Sequence, residues 1–257
     1  MAEMQELRDR LNQCLRADVF TAQDGTKLPY RYYIPERTVN APLLFYLHGN
    51  GSRGTDNQKQ LTFIGASVAA KLFAERKDFY ILAPQCPRES AWVPDGGYLG
   101  QPGFAQRDMS VYLRAAVELL REFLLLYPVD TKRLYATGSS NGAGACWELT
   151  VRYPHLFAGI IPVAGGKGGG ESVRPFAQNL AYTPMWTFHG TADPVLPCAA
   201  TQAIIEAARA AGNDQARFTP VPGATHDDVW QLAAQTAGLG DWLFAQRNAA
   251  FGVERAF

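Results

Sequence analysis

Arg133-Leu134-Tyr135-Ala136-Thr137-Gly138-Ser139-Ser140-Asn141-Gly142-Ala143 is the stretch whose reading decides the fold. Its first five residues read as a strand, and 143–153 reads as a helix. Between them, Gly138-Ser139-Ser140-Asn141-Gly142 fits G-x-S-x-G with Ser140 at its centre. A serine on so tight a strand-to-helix turn has its hydroxyl pushed out of the sheet, and glycines flank it where a Cβ would clash. The helix that follows aims its first backbone N–H groups at any oxyanion forming beside Ser140. The turn therefore predicts a nucleophile, and it requires a base and an acid from elsewhere in the chain.

Outward from this turn the sequence alternates between two patterns. Residues 43–47, 79–83, 159–163 and 185–188 are short apolar runs, and 60–75, 108–126, 142–152 and 199–211 have helical spacing. Strands that are apolar without alternation, interleaved with helices, imply a parallel sheet covered on both faces, an α/β architecture. Residues 18–23 and 28–34 read as two further strands around the turn Asp24-Gly25. Residues 217–221 form a last strand and 239–247 a closing helix, giving about eight strands. The expected organisation is one domain over 1–257, with 1–17 as an N-terminal helical extension. Two loops are long, 84–107 and 164–183, and both follow strand C-terminal ends, where open α/β sheets bind ligands. The second is too short and glycine-rich for a large helical cap, so an open cleft is expected.

Composition narrows the function. The 257 residues are 47% hydrophobic, ample for a core, and 24 Lys and Arg balance 24 Asp and Glu without a basic stripe, which excludes nucleic acid as the expected partner. No apolar run approaches the ~18 residues of a membrane span, and the N-terminus lacks the apolar region of a signal peptide. The expectation is a cytoplasmic protein with no membrane partner, or a secreted one if a leader has been removed. Cys14, Cys86, Cys146 and Cys198 lack C-x-x-C spacing and read as free thiols. The histidines are dispersed, so neither a metal nor a cofactor is expected.

A serine hydroxyl is a weak nucleophile at neutral pH and needs a base. Of the four histidines, His155 lies beyond the helix after Ser140, and His48 and His189 each end a strand and read as structural imidazoles bonded to loop backbone. His226 follows the last strand in Gly223-Ala224-Thr225-His226-Asp227-Asp228, where a loop can return a base to the sheet edge. Asp193, in His189-Gly190-Thr191-Ala192-Asp193-Pro194, is the expected acid that fixes the base's tautomer. Asp227 and Asp228 adjoin His226 but could hardly fold back onto its ring. The oxyanion donors are expected to be the backbone N–H of Asn141 and, from the loop His48-Gly49-Asn50-Gly51, that of Asn50, with Gly51 in reserve. That loop contains no phosphate-binding glycine pattern.

Taken together these residues resemble the α/β-hydrolase superfamily, whose chain order Ser140…Asp193…His226 matches. More narrowly they resemble serine carboxylesterases and predicted peptidases akin to feruloyl esterases and polyhydroxybutyrate depolymerases. The blocks that carry the resemblance run from Tyr46-Leu47-His48-Gly49-Asn50-Gly51 through Ala83-Pro84-Gln85-Cys86-Pro87 with Trp92 to His226-Asp227-Asp228-Val229-Trp230. The resemblance implies an α/β-hydrolase fold without a large cap, and an acyl-enzyme on Ser140 that cleaves small soluble or aromatic acyl esters without a cofactor. A serine peptidase of the same fold is the alternative within this chemistry, and a non-catalytic binding protein the alternative outside it. Trp92 and Trp230 are expected at the substrate, with Tyr98 and Phe104 completing an aromatic wall. Asn141-Gly142-Ala143 departs from the Met-Gly-Gly common in the family, and the Asn141 side chain is expected to add a polar contact bearing on substrate preference.

Overall fold

The structure, a computed structural model, describes residues 2–37, 39–168 and 170–248. Met1, residue 169 of the glycine-rich run and residues 249–257 of the expected domain lie outside the described residues. The chain opens with α1 (Ala2–Cys14), β1 (Arg16–Thr21), β2 (Lys27–Tyr33) and β3 (Ala41–Leu47). It continues through α2 (Lys59–Thr62), α3 (Ser67–Glu75), β4 (Tyr80–Pro84), α4 (Val111–Leu126), β5 (Val129–Ser139), α5 (Asn141–Arg152) and β6 (Gly159–Val163). It ends with α6 (Gly170–Val173), α7 (Ala177–Leu180), β7 (Met185–Gly190), α8 (Cys198–Ala210), β8 (Ala216–Val221), α9 (Asp228–Ala234) and α10 (Leu239–Ala245).

Among the described residues the eight strands form one sheet, ordered β1-β2-β4-β3-β5-β6-β7-β8. β2 runs antiparallel to both neighbours, and β4 to β8 pair in parallel around β3. Every residue of β3, β4 and β6 is buried. The two-residue period explains why: Leu43, Phe45 and Leu47 enter one hydrophobic layer with Leu113, Leu120 and Trp147, while Leu44 and Tyr46 enter the opposite layer with Leu11, Phe73 and Trp242. Helices thus cover both faces, as the unalternating runs predict. None of the described helices is long and apolar enough to cross a membrane.

Two expectations need correction. The helix expected over 60–75 is broken, because Phe63 is extended (φ −75°, ψ 153°) and a 3₁₀ turn, Ile64–Ala66, intervenes. The break brings Gly65 against the back of the serine turn, where a Cβ would overlap Ser139 Oγ. The segment 164–183 is not plain loop; it holds the one-turn helices α6 and α7, too small for a cap.

The turn at Ser140 is held from beneath by β3, which pairs Leu47 with Gly138. A Cβ on Gly142 would overlap the Leu47 carbonyl oxygen, and one on Gly138 would stand 2.5 Å from the Gly142 carbonyl. Such overlap with backbone cannot be relieved by a rotamer change, so Gly142→Ala is expected to lower the unfolding free energy by at least about 2 kcal/mol in urea titration. An unchanged midpoint and slope would show that the elbow is not so tightly packed.

Candidate active site

Four loops at the C-terminal edge of parallel strands converge on one place. β5 delivers Ser140 at φ 53°, ψ −116°, a backbone conformation that costs a non-glycine residue on the order of 1–3 kcal/mol and persists only where its surroundings enforce it. The Ser140 N–H donates to the Val163 carbonyl (2.9 Å) and its carbonyl accepts the Gly144 N–H (3.0 Å), which fixes the turn between β6 and α5.

The loop after β8 brings His226 to the serine, with Nε2 2.9 Å from Ser140 Oγ. On the other side of the ring, Nδ1–H donates to Asp193 Oδ2 at 2.6 Å. Asp193, from the loop after β7, has no exposed side-chain surface. Burial alone would push its carboxyl up, but bonds from the Leu196 N–H (2.9 Å), His226 and the Val195 N–H (2.8 Å) outweigh that and hold it below the usual carboxylate range. Asp228 is turned away, its Oδ2 accepting from the Thr225 hydroxyl and N–H.

His189 is where sequence reasoning fell short. It does bond to loop backbone, with Nε2 3.1 Å from the Leu196 carbonyl, but the same nitrogen lies 3.0 Å from Asp193 Oδ2. Burial favours the neutral ring, so Nε2, which faces two acceptors, carries the proton. Nδ1 then accepts from the Thr201 hydroxyl at 2.7 Å. Asp193 Oδ2 is therefore shared by two imidazoles. The signal was the four-residue spacing of His189 and Asp193 across the turn.

The expected oxyanion donors sit at helix starts. Asn141 is the first residue of α5, and Asn50 the first of a 3₁₀ turn, Asn50–Ser52, so each N–H belongs to a first turn without an internal acceptor. A Cβ built on Gly49 would stand 3.2 Å from Ser140 Cβ, which places this loop against the nucleophile. His48 anchors the loop: Nδ1–H donates to the Gly49 carbonyl (2.7 Å) and Nε2 accepts the Cys86 N–H (2.9 Å).

The aromatic wall is corrected by burial. Trp92 is 1% exposed and its Nε1–H donates to the His48 carbonyl (3.0 Å), so it braces the oxyanion loop and does not present a face to substrate. Tyr98 and Phe104 are buried likewise. Trp230 is also buried, packed edge-on against the His226 ring with centroids 5.1 Å apart. Nor does the Asn141 side chain project toward substrate. Its Oδ1 accepts the Val93 N–H (3.2 Å), and its Nδ2 donates to the Val93 carbonyl (2.7 Å) and the Tyr98 hydroxyl (2.8 Å). The far end of loop 84–107 is tied by Arg107 to fully buried Glu148, which also pairs with Arg152 (2.8 Å). Among the described residues all four cysteines are free thiols.

The sequence pattern of the phospholipase/carboxylesterase family matches residues 34–234. By structure the chain is similar to a thermostable esterase at 28% identity and a TM-score of 0.77, covering 93% of this chain and 64% of that one. This chain therefore spans somewhat less than two thirds of that esterase. A ferulic acid esterase superposes with a TM-score of 0.65 at 18% identity, over 90% of this chain and 98% of that one. Propionate-bound esterase 2 of the planctomycete Thermogutta terrifontis superposes at 0.59 and 18% identity, over 84% and 85%. No curated protein is found to match by sequence.

Two outcomes follow from this geometry. Asn141→Ala strands the Val93 N–H and carbonyl in a buried place, and is expected to cost about 2–4 kcal/mol in chemical denaturation; a loss below about 0.5 kcal/mol would contradict the anchoring. Burial lowers His48 from 6.5 to about 4, so the unfolded chain takes up a proton that the folded chain refuses. Its stabilising contribution is complete above pH ~6.5 and is lost as pH falls toward 4, by about 3 kcal/mol, with His189 acting in the same direction. Urea unfolding at pH 7 and pH 4.5 measures the difference.

Proposed function

This chain belongs to the phospholipase/carboxylesterase family, and on that premise we propose that it is a serine carboxylesterase working through an acyl-enzyme on Ser140. The observation that carries the reading is the unbroken line Asp193 Oδ2, His226 Nδ1 and Nε2, Ser140 Oγ, at 2.6 and 2.9 Å. His226 takes the Ser140 proton as Oγ attacks the ester carbonyl. Buried, ionised Asp193 stabilises the imidazolium and keeps Nε2 directed at the serine. The backbone N–H groups of Asn50 and Asn141 receive the oxyanion, with that of Gly51 in reserve. His226 then protonates the departing alcohol, and water, activated by the same nitrogen, releases the acid and restores Ser140.

Small soluble esters suit this site best, since among the described residues the segment 170–183 holds no helix longer than the one-turn α6 and α7 and no large cap. A preference for aromatic acyl groups loses its residue-level support, because Trp92, Tyr98 and Phe104 are buried in the loop they were expected to decorate.

Ser140→Ala is expected to abolish hydrolysis of 4-nitrophenyl acetate and butyrate and labelling by a fluorophosphonate, with an unchanged circular-dichroism spectrum. Asp193→Asn should lower kcat by roughly 10³–10⁴. Undiminished turnover by folded Ser140→Ala would refute the acyl-enzyme.

A further inference from the structure

Beside the oxyanion loop lies a recess of about 250 Å³ lined by Asn50, Gly51, Arg53, Lys59 and Arg88. It begins one residue from Gly49, which stands against Ser140. Three of its five lining residues are cations and none is an acid. The chain as a whole balances 24 basic against 24 acidic residues, so basic composition does not account for the grouping. Several cations elsewhere meet carboxylates: Arg76 with Asp78, Arg107 and Arg152 with Glu148, Arg114 with Asp24, Arg133 with Asp130, Lys167 with Asp95. Among the described residues no carboxylate comes within ion-pairing distance of Arg53, Lys59 or Arg88.

Asp56 attracts Lys59 without a direct ion pair, so it offsets only part of the charge of the three cations. Asp56 Oδ1 accepts the Gln58 and Lys59 N–H groups, each at 2.8 Å, and Gln85 Nε2 at 3.2 Å. Exposed Glu89 forms no ion pair with Arg88 beside it. Arg53, by contrast, is fixed before any ligand arrives. Its Nε–H donates to the Asn50 carbonyl (3.1 Å) and its Nη1 to the Ser90 carbonyl (3.0 Å), so its charge is held in the wall by the oxyanion loop itself. Half-buried Lys59 and exposed Arg88 complete the rim.

We infer that this recess is an anion subsite, and that the esters best used by the enzyme carry a carboxylate a few atoms from the scissile carbonyl. The inference rests on the esterase reading above. The recess is smaller than the ~300–1,000 Å³ pockets that enclose whole ligands, and suits one charged end of a substrate. A carboxylate there gains charge-assisted hydrogen bonds. The same chemistry can sit on either side of the ester, and the assay separates the two.

kcat/KM is measured for the 4-nitrophenyl monoester of glutaric acid, with its carboxylate on the acyl side, and for 4-butyryloxybenzoate, with its carboxylate on the alcohol side. Each is compared with its neutral carboxamide counterpart. One carboxylate should exceed its carboxamide by roughly tenfold at low salt, as expected of a hydrogen bond to a charged group. Which of them does so identifies the side. The ratio should fall toward one in Lys59→Gln/Arg88→Gln, and shrink in about 0.5 M salt because the rim charges are exposed. It should persist in Lys77→Gln, which precedes β4 at the opposite edge of the sheet. Carboxamides used as well as carboxylates would overturn the subsite and leave the esterase reading standing. A preference that survives the double variant would overturn the assignment to this recess. No turnover of any of the four esters, with no fluorophosphonate labelling, would defeat both readings together.

Discussion

The contact between the end of β3 and the glycines around Ser140 is the constraint on which the rest of the molecule depends. Without a Cβ at Gly138 or Gly142, the serine turn settles onto the Leu47 carbonyl, and Ser140 is driven to φ 53°. That backbone strain is offset by burial on both faces of the central strands, since every residue of β3, β4 and β6 is buried. The sheet therefore serves the site directly. Its parallel strands end together, and the loops that leave them deliver Asn50, Ser140, Asp193 and His226 to one edge.

Much of this was legible because each cue is local. Glycines flanking a serine between a strand and a helix specify an elbow on steric grounds alone. Apolar runs without alternation specify a sheet covered on both sides. His226 stood out because its loop leaves the last strand, and Asp193 because it leaves the strand before. The structure brings both into line with Ser140.

What was not legible depends on direction in space. Trp92, Tyr98 and Phe104 sit on a long loop beside the site, and their types are the same whether a ring faces a substrate or the protein interior. In the fold they face inward, and Trp92 spends its N–H on the His48 carbonyl. The break at Phe63 was hidden because the apolar spacing continues across it, while the reason for the break, the approach of Gly65 to Ser139, comes from a distant strand. His189 was expected to be a structural imidazole bonded to loop backbone; it makes that bond and also shares the Asp193 carboxylate with His226, since a turn after β7 folds the acid back onto the ring.

Asn141 joins two tasks in one residue. Its main chain starts the helix beside the nucleophile, and its side chain grips both polar groups of the Val93 peptide. That grip is on main-chain atoms, while the Val93 side chain is separately buried in the core. Loop 84–107 is therefore seated on α5 through its main chain at residue 93, while Trp92 and Tyr98 on either side add side-chain ties to His48 and Asn141. One asparagine thus fastens the helix that begins beside the nucleophile to the loop that braces the oxyanion strand end, so a slip of either would be felt by the other.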